Sequence, residues 1–292
     1  MATLSSRKSR VVIREVWEHN LDSEFLIIRN MIKNYSYIAI DTEYPGVIYH
    51  PVVNTKFCVT PISVSHSYSL MKANVDTLKI IQLDSCYVWQ FNCKEFDIEK
   101  DLSNFTSIKL LKQQGIDFVK NKQQGISAVR FSKWFFQCFG PGRRFYNPTE
   151  NLNITWISFH GTYDFAYLLS VITLDKLPND LNTFARLLRY YFGDSVYDLK
   201  VILKFQGLHG GLKRMAEIVG VDRVAGNHHQ AGSDSLLTMQ MFMEMKKNYF
   251  CGKNFGRLSW FRYMLFGLNF QILREIYVPC RARIAACYQR FY

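Results

Sequence analysis

With 292 residues, 48% of them hydrophobic and 21% charged, the chain has enough apolar mass for one large domain core and is not a disordered polypeptide. A formal charge of +12 points to a polyanionic partner such as nucleic acid, or else to a solvated basic surface. Seven scattered cysteines, odd in number and without a CxxC pair, exclude a disulfide framework and a cysteine zinc site and fit a reducing compartment.

The opening MATLSSRKSR lacks the apolar core of a secretory signal. From residue 20 the pattern becomes periodic. Leu21, Phe25, Ile28 and Ile32 share one helical face, with Asn20 as the expected N-cap and Asp22 and Glu24 in the first turn. A strand is expected over 37–41, a loop over 49–69, and a short helix leading into a hairpin over 80–92, with Asp84-Ser85 near its turn. Helices follow over 103–115, closed by Gly115, and over 127–138. The segment FGPGRRFYNPTENLN reads as a loop, ITWISF as a strand and TYDFAYLLSVI as a helix. The remaining expectations are a helix over 179–193, a strand starting at SVYDLKVI, and helices over 210–220 and 233–249. This order implies a single α/β domain with a mixed sheet flanked by helices.

The chemistry gathers at strand ends. In YIAIDTEYPG, Asp41 and Glu43 project from one face of a strand, two positions apart. Two like charges so placed repel unless a lysine, a proton or a metal ion lies between them. Asp164 follows ITWISF in the first turn of a helix, Asp198 sits at a strand end in SVYDLK, and Asp234 begins an apolar helix. An Ala-Gly pair puts His229 in a loop before that helix, free to turn toward Asp234. A lone aspartate at a helix start is ordinarily a cap. Several acids at the strand ends of one α/β chain mark the place where such sheets put their sites.

IAIDTEYPG, ISFHGTYDFAYLL, LHGGL and HQAGSDSLLT resemble the signature segments of the NOT-complex deadenylases of the Pop-two/Caf-one type, DEDDh exoribonucleases with an RNase-H-like, RNase-D-like fold. VWEHNLDSEFLIIRNMI, VWQFN, LLKQQGIDF and YDLK extend the likeness from about residue 11 to 250. The resemblance implies that Asp41, Glu43, Asp164 and Asp234 bind two divalent metal ions, Mg²⁺ or Mn²⁺, and that His229 is the motif histidine, a general base. His228 then falls one residue out of register, and Asp198 lies outside the catalytic set. Tyr44, His160 and Tyr163 are the implied substrate contacts. The implied activity is 3′-to-5′ removal of poly(A) from mRNA, releasing 5′-AMP, in cytoplasm and nucleus. The implied partners are poly(A) RNA, the scaffold subunit of the NOT complex and its second deadenylase. Two rivals remain: an exonuclease of the same class on another nucleic acid, and a catalytically weak adaptor of the complex.

Tyr44 stands where the family usually has Phe, and His160-Gly161-Thr162 replaces its His-Ser-Gly order. Residues 251–292 do not resemble the family. They hold seven basic residues against Glu275 alone, a net +6, with Trp260, Phe261, Tyr263 and Phe266 interleaved. That composition suits stacking on RNA bases while neutralising phosphates. The tail is therefore expected to act as an extension through charge, with catalysis surviving its removal. Its most apolar stretch, LSWFRYMLFGLNFQIL, is broken by Arg262 and too short for a membrane span, so a soluble protein is expected.

Overall fold

The computed structural model describes residues 11, 13–50, 63–85, 88–140, 153–248, 250 and 258–268. Six strands form one mixed sheet: β1 (Arg14–Val16), β2 (Tyr37–Glu43), β3 (Gln82–Ser85), β4 (Trp89–Asn92), β5 (Thr155–Ser158) and β6 (Val196–Asp198). Their order is β1-β4-β3-β2-β5-β6. β3 runs antiparallel to β2 and β4, whereas β2, β5 and β6 are mutually parallel. The expected mixed α/β sheet of RNase-H type is thus observed.

Helices cover both faces, which is why the central strands read as apolar runs rather than alternating ones. Ile38, Ile40, Trp156 and Val196 face one core. It is built with α1 (Leu21–Met31), α2 (Val64–Thr77), α5 (Ala128–Phe139), α6 (Thr162–Thr173) and α7 (Leu181–Phe192). Ala39, Ile157 and Tyr197 face the other, built with α8 (Leu199–Phe205), α9 (Leu212–Val219) and α10 (Ala231–Asn248). α3 (Phe105–Gln113) and α4 (Phe118–Gln124) close a smaller cluster around Phe96 and Ile116.

Several local expectations shift. α2 starts at Val64, capped by the Ser63 hydroxyl, inside the stretch read as loop; residues 51–62 lie outside the described residues. The hairpin forms at β3 and β4, with residues 86–87 also outside. The FGPGRRFYNPTENLN loop lies almost wholly outside as well. Asn20 makes no side-chain cap bond to α1; its Oδ1 accepts instead from the Trp17 N–H at 2.7 Å. SVYDLKVI is strand for three residues only, because Asp198 then caps α8 by accepting from the Lys200 N–H.

The described part of the tail is woven into the domain, so the boundary expected at residue 250 does not set it apart. Tyr263, Leu265 and Leu268 are buried in the first core. The Tyr263 N–H donates to the Val196 carbonyl at 2.9 Å, continuing the β6 edge. Phe261 packs on Phe205, while Trp260 stays half exposed. Tyr263 is therefore a core residue and cannot stack on a base. Residues 269–292 lie outside the described set.

Candidate active site

Side-chain alternation along β2 decides how the site is shared between faces. Asp41 and Glu43 have the parity of Ala39 and point toward the α10 side; Thr42 has the parity of Ile40 and points toward α6. Thr42 accordingly meets Asp164, the third residue of α6. Its N–H and its hydroxyl donate to Asp164 Oδ1 at 3.0 and 2.6 Å. On the other face, ligand atoms of Glu43, His229 and Asp234 all lie within 4.8 Å of one another. The first core also stacks Tyr44 on Tyr163 and Tyr167, with ring centroids 5.3 and 4.8 Å apart. Thus Asp41, Glu43, Asp164, His229 and Asp234 are gathered about the end of β2, with Tyr44 and Tyr163 alongside. His160 stands further out, on the turn before α6.

Backbone strain marks both supporting turns. His160 has φ +67° and His229 has φ +55°, a region costly for residues other than glycine. His160 is held because its N–H and that of Gly161 donate to the buried Asp198 at 2.8 and 3.0 Å. Gly161 is required sterically: a Cβ there would lie 1.9 Å from Ser158 Oγ. His229 is held because its N–H donates to Asp234 Oδ2 at 3.1 Å. Arg223 braces the same loop, with its guanidinium on Ser233 Oγ and Asp234 Oδ1 and within 3.1 Å of His228 Nδ1. His228 is thus a brace of the loop rather than a chance neighbour.

The electrostatics fit a hard cation. Burial, then the charges of Asp234 and Asp164, pushes the Glu43 carboxyl up to about 8. Burial also pushes Asp164 up to about 7, with Asp198 and Asp234 adding, although the Thr42 donors oppose it. Arg223 on Asp234 offsets only part of this crowding. Clustered carboxylate oxygens are the donor set that Mg²⁺ and Mn²⁺ select.

A pH effect follows. Both carboxyls bind their protons more tightly folded than unfolded, so their contribution to stability is full below about pH 4 and is lost as pH rises through 7–8. Cation-free protein is expected to melt at a lower temperature at pH 8 than at pH 5, and Mg²⁺ or Mn²⁺ to raise the melting point more at pH 8. Thermal unfolding in EDTA and in Mn²⁺ checks this; a cation-free melting point that is flat or rising from pH 5 to 8 would contradict it.

Thr42, Asn74, Gln82 and Arg223 were not singled out by the sequence. Asn74, fully buried, accepts from the N–H groups of Ile48 and Tyr49 and fixes the chain after the first acids. Gln82 Oε1 accepts from the Ala231 N–H and sets the start of α10 on β3. For Thr42 the alternation of β2 was the available signal; Arg223 sits in a loop without periodic pattern and left none, although it lies within 11 residues of what it touches.

Residues 16–130 match the model of the CAF1 family ribonucleases. A probable CCR4-associated factor 1 homolog 10 of Arabidopsis thaliana is 42% identical over 263 residues, covering 84% of this chain and 90% of that protein. The chain belongs to the CAF1 ribonuclease family. The poly(A) ribonuclease pop2 of Schizosaccharomyces pombe is 36% identical over 84% of this chain and 72% of its own. The structure of S. pombe Pop2p in a Mg²⁺- and Mn²⁺-bound form superposes with a TM-score of 0.75 at 35% identity, over 88% of this chain and 99% of that one. A yeast CAF1 co-crystallised with the NOT1 MIF4G domain gives a TM-score of 0.61 at 27% identity, over 82% and 89%. Among the described residues no helix is long and apolar enough to cross a membrane.

Proposed function

We propose that this CAF1-family ribonuclease shortens poly(A) from the 3′ end, releasing 5′-AMP. The observation that carries the reading is the meeting of Glu43, His229 and Asp234 at the end of β2, with Asp164 held on Thr42 and Asp41 two positions before Glu43 on the same strand face, in a family whose S. pombe member is a poly(A) ribonuclease. Asp41, Glu43, Asp164 and Asp234 would hold two divalent cations; S. pombe Pop2p, with the same fold, has a Mg²⁺- and Mn²⁺-bound form. When bound, such ions neutralise phosphate charge and assist the attacking and leaving oxygens.

The chain's own groups do the rest. His229, exposed on its loop and tethered through its N–H to Asp234, takes the proton of the attacking water. Thr42 orients Asp164 by two bonds to one oxygen, Oδ1, so Oδ2 is the oxygen it would offer a cation. Tyr44 and Tyr163 offer aromatic surface to the terminal nucleotide, with His160 beyond them.

Gel analysis of 5′-labelled A15 with Mg²⁺ or Mn²⁺ tests the reading. It expects single-nucleotide shortening, 5′-AMP as product, and slower loss of U15 and of DNA. Equal decay of all three would favour the exonuclease of other specificity; an intact A15 would favour the adaptor. His229→Ala is expected to slow turnover by roughly 10²–10⁴-fold, the usual worth of a general base. His228→Ala should cost far less, since Arg223 keeps its bonds to Ser233 and Asp234 without that brace; single-turnover rates check the ranking. The same reading places the protein in a NOT complex, on a NOT1-type scaffold as in the yeast pair and beside a second deadenylase, in cytoplasm and nucleus.

A further inference from the structure

The strongest unassigned feature lies beside this site, on the β6 side. Residues 199–214 carry Lys200, Lys204, His209, Lys213 and Arg214 and no acid. Lys200 and Lys204 are one turn apart on α8, and both ammonium groups sit over the Phe266 ring, 4.5 and 5.5 Å from its centroid. Neither makes a salt bridge among the described residues. A cavity of about 290 Å³ opens between them and His209, floored by Leu208, Met215 and Phe266.

We propose that this pocket is a nucleotide subsite, in which Lys200 and Lys204 hold a phosphate of the RNA substrate upstream of its reacting 3′ end and the apolar floor takes a base. The inference rests on the RNA-degrading function proposed above.

Position favours it. β2, β5 and β6 run parallel, so Lys200, just past the end of β6, lies at the same end of the sheet as Glu43 at the end of β2. Lys200 Nζ also lies 3.4 Å from His160 Nδ1, on the turn that leads into Asp164. The chemistry favours it too. Two cations converging on one ring repel each other, and an anion between them removes the repulsion. Burial pulls the Lys200 ammonium pKa down more than the charge of Asp198 raises it, so it gains from a second anion. An aromatic floor with a cationic rim is the usual design for sequence-tolerant binding of a single strand. Phe266 gives the tail a place in RNA binding unlike the one its composition suggested: one ring in a pocket rather than a charged extension.

The test is the KM for A15 across a salt series, in wild type, Lys204→Glu, Lys200→Gln and the surface control Lys109→Glu on α3. Lys204 is exposed, so its replacement should leave folding intact. Each pocket variant is expected to raise KM about tenfold, and the slope of log affinity against log salt to become shallower by roughly 0.7 for each phosphate left without its lysine. Lys109→Glu should match wild type. Wild-type KM and salt slope in both pocket variants, with A15 still degraded, would overturn the subsite alone. Loss of binding to poly-glutamate without change in A15 kinetics would also overturn it, and would assign the pocket to an acidic polypeptide. A wild type that neither binds nor degrades A15 overturns the parent function and the subsite together.

Discussion

Asp41→Ala and Asp234→Asn are each expected to lower RNA hydrolysis by about 10³-fold or more while leaving the protein folded. Asp41 shares a face of β2 with Glu43, and Asp234 arrives opposite Glu43 from α10, so under the proposed function each change removes a carboxylate from the cation site. The choice of Asn at 234 matters. Alanine would strip Arg223 and the His229 N–H of their acceptor and disturb the loop as well as the charge. Asparagine keeps the shape and an oxygen for one of them, and loses the charge and the second acceptor. Activity of either variant within tenfold of wild type, with an unchanged circular-dichroism spectrum, would sink the cation-binding assignment.

Asp198→Ala is the second change with a large expected effect, although Asp198 bears no catalytic role. Its carboxyl is fully buried and accepts from four backbone N–H groups: His160, Gly161, Lys200 and Phe266, at 2.8–3.0 Å. It thereby joins three chain segments: the strained turn before Asp164, the start of α8 and the tail. Alanine leaves those donors buried and unpaired, at about 1–3 kcal/mol each before relaxation, so a loss of about 3 kcal/mol or more is expected. Truncation after residue 257 should cost at least as much, because it also strips Tyr263, Leu265 and Leu268 from the first core. It removes the Phe266 N–H and the Phe266 carbonyl, which accepts from Thr162 Oγ1 at 2.6 Å. Both proteins should melt earlier and turn over more slowly. Urea unfolding paired with single-turnover rates measures this. A truncated protein of wild-type stability and rate would show that the packed tail is dispensable, as its composition alone suggested.

Much of the scaffold was legible because it is local. Asp180 caps α7 and Gly193 ends it, and the sequence displays both. Motif resemblance offered five acid and histidine positions, and the structure brings ligand atoms of Glu43, His229 and Asp234 within 4.8 Å of one another; spacing alone left their partner open. Contacts between distant segments were not legible. β1 is only three residues long and exists because β4 is there to pair with it. α4 is short and capped by Asp117, too brief for a periodic signal. The tail read as an appendage because its charge dominates its composition, whereas Tyr263, Leu265 and Leu268 decide where it goes.

The order in which the cleft's parts occur along the chain has a consequence during synthesis. Asp41 lies on the second strand and Asp234 on the last long helix, which packs on β2, β3 and β5. At usual elongation rates roughly 10–40 s separate the emergence of the two from the ribosome. Until α10 has emerged and docked, Glu43 has neither Asp234 nor His229 opposite it. A growing chain therefore lacks part of its acid cluster until α10 docks, and RNA hydrolysis is expected only from chains that have passed residue 248.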